Sequence, residues 1–238
     1  MTRRLLLGFL AFLSISIALV APVPWLFGLV EGVKDPPPLI AHLLAQYNGA
    51  RLVFLAHVIG GGLALLVAPW QLMPRLRARR PRLHRATGYI YVGAVALAGT
   101  AGLVMGPRAW AGPIAQLGFT ALAVAWLATT ALGMRRILAG DRAGHRAWMT
   151  RSFALSFAAV TLRIQSPLLL VLGVPDIHAH QIIAWSCWVP NLVVAHFLLA
   201  RRRTATAAAA VARDGSARTP SSRDYRAHPI DRPSPSGS

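Results

Sequence analysis

The chain has 238 residues, 55% of them hydrophobic and 13% charged, with 25 basic residues against 7 acidic ones. So apolar a composition excludes an ordinary soluble domain. A formal charge of +18 would suggest nucleic acid in a soluble protein, but these arginines flank apolar stretches, so the expected partner is a lipid bilayer and no nucleic acid.

The first apolar stretch covers 5–29. At ~1.5 Å per residue it is long enough to cross a hydrocarbon core of ~30 Å. Thr2-Arg3-Arg4 also suits a signal peptide, but the apolar run continues through Trp25 and no small-x-small motif precedes Ala21, so an uncleaved span is expected. Pro36-Pro37-Pro38 then breaks any helix. Beyond it Leu39, Ile40, Leu43, Leu44 and Tyr47 share one helical face and His42 and Gln46 another, which predicts a short interfacial helix.

The second stretch, 51–73, contains His57, with Gly60 and Gly61 on the same face. That flat surface suits a haem plane or a neighbouring helix. Arg75, Arg77, Arg79, Arg80, Arg82 and Arg85 lead into the third stretch, 86–106, opened by His84-Arg85-Ala86 and carrying Gly102-x-x-x-Gly106, a spacing that lets helices approach closely. The fourth covers 114–138 and the fifth 147–172, the latter opened by His145-Arg146-Ala147. His84 and His145 each begin a span beside arginines. Neutral imidazoles there can ligate a metal, and helix-start N–H groups with an arginine bind the phosphate of anionic lipid headgroups equally well.

Arg163 lies within the fifth stretch, whereas all seven acids (Glu31, Asp35, Asp141, Asp176, Asp214, Asp224, Asp231) fall outside the stretches. Thr161, Gln165 and Ser166 make its surroundings polar, and Pro167 predicts a kink. Arg163 and Gln165 therefore form a candidate anion site, for a haem propionate, a lipid phosphate or a small acidic substrate; the alternative is a guanidinium snorkelling towards Asp176 or water. Asp176-x-His178-x-His180 has metal-capable side chains, but one short cluster reads as a polar loop, and no metal site is assigned. The sixth stretch, 181–200, holds the single cysteine, Cys187, so no disulfide framework exists. Residues 204–238, rich in Ala, Ser, Pro and Arg, are expected to be a disordered cytoplasmic tail following a bundle over 1–203.

Twenty-one of the 25 basic residues fall on one side of this alternation, which predicts both termini in the cytoplasm. Trp25, Trp70, Trp110, Trp148, Trp185 and Trp188 sit near stretch ends, as interfacial anchors do. Arginine outnumbers lysine 24 to 1, a bias of GC-rich bacterial coding that suggests a bacterial plasma (inner) membrane. At an offset of 61, His84-Arg85-Ala86 matches His145-Arg146-Ala147, Met73 matches Met134, Arg75 matches Arg136 and Thr100 matches Thr161, so spans 2–3 and 4–5 are candidate repeats of one hairpin. No carboxylate stands in the membrane, as a proton or cation pump normally requires, and no phosphate-loop, zinc-protease or serine-nucleophile motif is present.

Two blocks carry a family resemblance. The first is His57-x-x-Gly60-x-x-Leu63-Ala64-Leu65, Pro69-Trp70-Gln71 and His84-Arg85-Ala86-Thr87-Gly88-Tyr89-Ile90-Tyr91. The second is Gly118-Phe119, Trp126, Gly140-Asp141-Arg142-x-x-His145-Arg146-x-Trp148-Met149-x-Arg151-Ser152-Phe153-Ala154-Leu155 and Thr161-Leu162-Arg163. Over roughly 50–165 the chain resembles the bacterial membrane family catalogued as domain of unknown function 2306, which implies a topology and no activity. It is more distantly similar to cytochrome b561-like six-helix proteins, which hold two b-type haems between histidines of the four central helices. That analogy implies His57, His84 and His145 as ligands of haem b, while Gly118 stands where a fourth, on span 4, would lie.

The expected fold is an all-α polytopic bundle of six transmembrane helices with both termini inside. Three functions follow: b-type haem-binding transmembrane electron transfer, with His57, His84 and His145 as ligands and Arg163 as propionate clamp; a transporter or binding protein for a small anion or lipid; and a non-catalytic scaffold or assembly factor. The sequence names no catalytic residue.

Overall fold

A computed structural model describes residues 2–27, 29, 34–36, 38–201 and 204. Among these the regular elements are all helices. Six are long and apolar enough to cross a membrane: Gly8–Leu26, Arg51–Gln71, Pro81–Arg108, Pro113–Leu138, Arg142–Val171 and Asp176–Arg201 (spans 1 to 6). The chain is thus the all-α, multi-pass membrane protein that its composition predicts. It divides into a unit Met1–His196, which holds every residue discussed below, and a unit Phe197–Ser238. The expected tail lies, apart from Thr204, outside the described residues.

Local capping, more than hydropathy, sets where the helices begin. Pro81 and Pro113 stand in the first turn of spans 3 and 4, where the missing N–H costs nothing. Asp141 caps span 5, its carboxylate accepting from the Gly144 N–H at 2.7 Å. Spans 3, 5 and 6 therefore start at Pro81, Arg142 and Asp176, one turn or more before their apolar stretches. His84 and His145 lie inside the first turns as a result, and His178 and His180 are helical rather than in a loop. The short helix expected after the prolines is present as Pro38–Gly49.

Span 5 is interrupted at Phe157, between Arg142–Ser156 and Ala158–Val171, and stays helical through Pro167. The interruption lies ten residues before the proline, where the Val160 N–H reaches back only three residues, to the Phe157 carbonyl, at 3.0 Å. Span 6 is interrupted at residues 187–188, just before Pro190. That proline has no N–H for the Ser186 carbonyl, which accepts instead from Gln165 Nε2 of span 5 at 3.4 Å.

Small residues bring the helices together. A Cβ at Gly60 would stand 3.0 Å from the Ala94 carbonyl oxygen and 3.1 Å from Ala98 Cβ of span 3. Gly102 and Gly106 both face span 4, at Ala123 and Thr120. The core between spans 2 and 6 gathers Ala64, Ala68, Tyr91, Val95, Trp126, Leu155 and Cys187. Spans 2–3 and 4–5 each form a closely packed hairpin. Tyr91 and Ser152, 61 residues apart, hydrogen-bond to each other at 2.7 Å.

Candidate functional site

His84 and His145 both lie on the arginine-rich side. Each is the fourth residue of its helix, and the two imidazoles are close enough to act on one another electrostatically, with Arg77 a further charged neighbour of His84. His145 Nδ1 lies 2.9 Å from the Gly133 carbonyl oxygen of span 4. A carbonyl only accepts, so this nitrogen carries the proton and Nε2 is left with its lone pair. That is the arrangement of a metal-ligating histidine held by a backbone oxygen. His84 Nδ1 is buried and has no hydrogen-bond partner.

On the opposite side His57 donates from Nδ1 to the Ala98 carbonyl of span 3 at 2.9 Å. It too has a free Nε2, but its charged neighbour is Arg163. The surface offered by Gly60 is taken by span 3, whereas a Cβ at Gly61 would meet nothing within 4 Å. Gly118 stands 61 residues after His57, and a Cβ there would be 2.8 Å from the Ala184 carbonyl oxygen of span 6. The helices touch at that point and leave no room for an imidazole. His180 lies against the rings of Trp110 and Phe119, at 5.6 and 5.2 Å, and His178 is exposed.

Arg163 is exposed on the outside of the bundle, its guanidinium donating to the Ala159 carbonyl of its own helix at 2.9 Å. It lies eight residues from the end of span 5 at Val171, or ~12 Å along the helix axis. Gln165 points to span 6, where its Oε1 accepts from Ser186 Oγ at 3.1 Å. The two members of the expected anion site therefore have different partners.

Sequence reasoning missed a buried hydrogen-bonded cluster at the centre of spans 3, 4 and 5. The Tyr91 hydroxyl lies 2.7 Å from Ser152 Oγ and 2.8 Å from Ser156 Oγ. Thr130 Oγ1 is 2.7 Å from Ser152 Oγ, and the Trp126 indole N–H donates to Ser156 Oγ at 3.0 Å. Every member is buried, so each polar atom depends on the others. The clue was present, since Tyr91, Trp126 and Ser152 all stand in the two motif blocks.

Among the described residues no group of three or more His, Cys, Asp or Glu side chains is gathered as a metal site would need. A family model described as "Predicted membrane protein (DUF2306)" matches residues 54–199. No curated protein and no solved structure matches the chain.

Proposed function

The chain belongs to the DUF2306 family of predicted membrane proteins, and from that premise we propose that it binds a single b-type haem between His84 and His145 and serves in electron transfer across the membrane. One observation carries this reading. Two imidazoles, each the fourth residue of its helix, lie within electrostatic reach of one another at the arginine-rich side, one oriented by a backbone carbonyl and the other with a buried unpartnered nitrogen. The residues present fit a haem iron: histidine nitrogens ligate it, and neighbouring arginines such as Arg77 suit its propionates. Haem supplies one-electron chemistry when bound. The chain's share is to fix ring orientation through the Gly133 carbonyl, to hold charge nearby, and to exclude water with the apolar core, the levers that set a potential. His57 has the same anchored Nδ1, but Gly118 against Ala184 denies it a partner from span 4, which is why one haem is proposed and not two. Alanine at His84 or at His145 should abolish haem retention, and alanine at His57 should not. Full retention by both of the first two variants overturns the proposal.

Arg163 supports a second reading, a site for an anionic lipid or small anion. The guanidinium faces the exterior within a span, and no span interior carries an acid to pair with it, in this chain or in a second copy. Native mass spectrometry of purified protein should show a bound anionic lipid that Arg163→Ala loses; equal occupancy in the variant overturns this reading. With both termini and the arginine-rich loops cytoplasmic, those loops would also meet anionic headgroups of a bacterial inner membrane.

A further inference from the structure

The second half of span 5, Ala158–Val171, buries only Ala158 and Val160. Ile164, Leu168 and Val171 are exposed at helical spacing, and Arg163 is exposed beside them. The other polar side chains of this segment have partners within the chain. Asn191 Nδ2 donates to Thr161 Oγ1 at 3.0 Å, Ser186 Oγ donates to Gln165 Oε1 at 3.1 Å, and Ser166 Oγ donates to the Leu162 carbonyl at 2.9 Å. Arg163 differs. Among the described residues its one acceptor is the Ala159 carbonyl, at 2.9 Å, so most of its N–H fork is unspent. That carbonyl lies towards the start of the helix. The charge is therefore turned back from the end of the span at Val171 and stays ~12 Å or more inside it.

We propose that this face docks a transmembrane helix of a different protein, one that carries an aspartate or glutamate at mid-membrane depth. Charge selects the occupant. A guanidinium in hydrocarbon is costly until it is paired, and a carboxylate takes its fork with two parallel hydrogen bonds. Depth selects it as well. Lipid phosphates stand at the membrane surface, beyond the end of the span, whereas a partner helix carries a carboxylate to any depth along its axis. A second copy of this chain offers no such group, because all seven acids fall outside the apolar stretches. The ridge of Ile164, Leu168 and Val171 gives the partner helix an apolar surface to pack on beside the charge. The inference rests on the reading of Arg163 as an anion site, and it names a carboxylate borne on protein, in place of lipid, as the anion.

The test uses synthetic single-span peptides of leucine and alanine, about 21 residues long, with Glu, Gln or Lys at the central position, which has the same depth in either orientation. Their association with the full chain in phosphatidylcholine vesicles is read by energy transfer to a dye on Arg79→Cys, the native Cys187 being buried. The Glu peptide should bind about tenfold more tightly than the Gln peptide. Arg163→Leu should remove that preference. Arg163→Glu should transfer it to the Lys peptide, a gain that misfolding cannot produce. Equal binding of the Glu and Gln peptides by the unsubstituted chain, a Glu preference that survives in Arg163→Leu, or no gain for the Lys peptide in Arg163→Glu overturns the proposal. So does a preference that disappears when phosphatidylglycerol is added to the vesicles, which assigns Arg163 to lipid and leaves its reading as an anion site intact.

Discussion

Replacing Ser152 by alanine removes two buried hydrogen bonds, to the Tyr91 hydroxyl and to Thr130 Oγ1, both at 2.7 Å. Neither partner is stranded, because Tyr91 keeps Ser156 at 2.8 Å and Thr130 keeps the Trp126 carbonyl at 2.8 Å. Interhelical hydrogen bonds in membranes average ~0.6 kcal/mol and reach ~1.7, so the loss should be ~1–2 kcal/mol. Ser156→Ala should cost more. It removes the 2.8 Å bond to the Tyr91 hydroxyl and the 3.0 Å bond from the Trp126 indole N–H, whose residue is only 7% exposed, and a buried donor deprived of its partner costs ~1–3 kcal/mol. Combining Tyr91→Phe with Ser152→Ala in a double-mutant cycle isolates one bond, with an expected coupling of ~0.6–1.7 kcal/mol. Reversible unfolding in mixed micelles, followed by circular dichroism, measures all five proteins. Additivity within ~0.3 kcal/mol, or a Ser156→Ala variant no less stable than Ser152→Ala, would refute the cluster as a cooperative link between spans 3, 4 and 5.

Gly118→Ala should destabilise by ~1–3 kcal/mol through overpacking, because its Cβ meets the Ala184 backbone at 2.8 Å, whereas Gly61→Ala, with nothing within 4 Å, should change stability by less than ~0.5 kcal/mol; equal melting temperatures for the two variants would contradict this. Orientation is read by thiol labelling, since the native Cys187 is buried: an impermeant maleimide on intact cells should modify Asp176→Cys and spare Arg79→Cys, and the reverse pattern would contradict the cytoplasmic placement of the arginine-rich loops.

The six spans, the short helix after the prolines, and the packing of span 2 on span 3 and of span 4 on span 5 were legible because length, apolar run and short loops report them directly. Helix starts were not, because a proline at N1 or the Asp141 cap extends a helix through charged residues that hydropathy reads as loop. Gly60 looked like a bare face for a cofactor, and only the approach of Ala94 and Ala98 assigns it to helix packing. Gly118 stood out only as the residue 61 positions after His57, and its close contact with Ala184 of span 6 has no signature in the sequence. The Tyr91 cluster was illegible as a cluster because Ser, Thr and Trp at separations of 22 to 65 residues have no local pattern. Pro167 drew attention as the visible helix breaker, yet the chain loosens at Phe157, a residue with no breaking tendency of its own.

The account turns on whether His84 and His145 hold an iron porphyrin. An absorption spectrum of the purified full chain, expressed with ample haem, should show a Soret band that sharpens and shifts on reduction with dithionite. A spectrum with protein absorbance alone, from folded and haem-supplied protein, would contradict it.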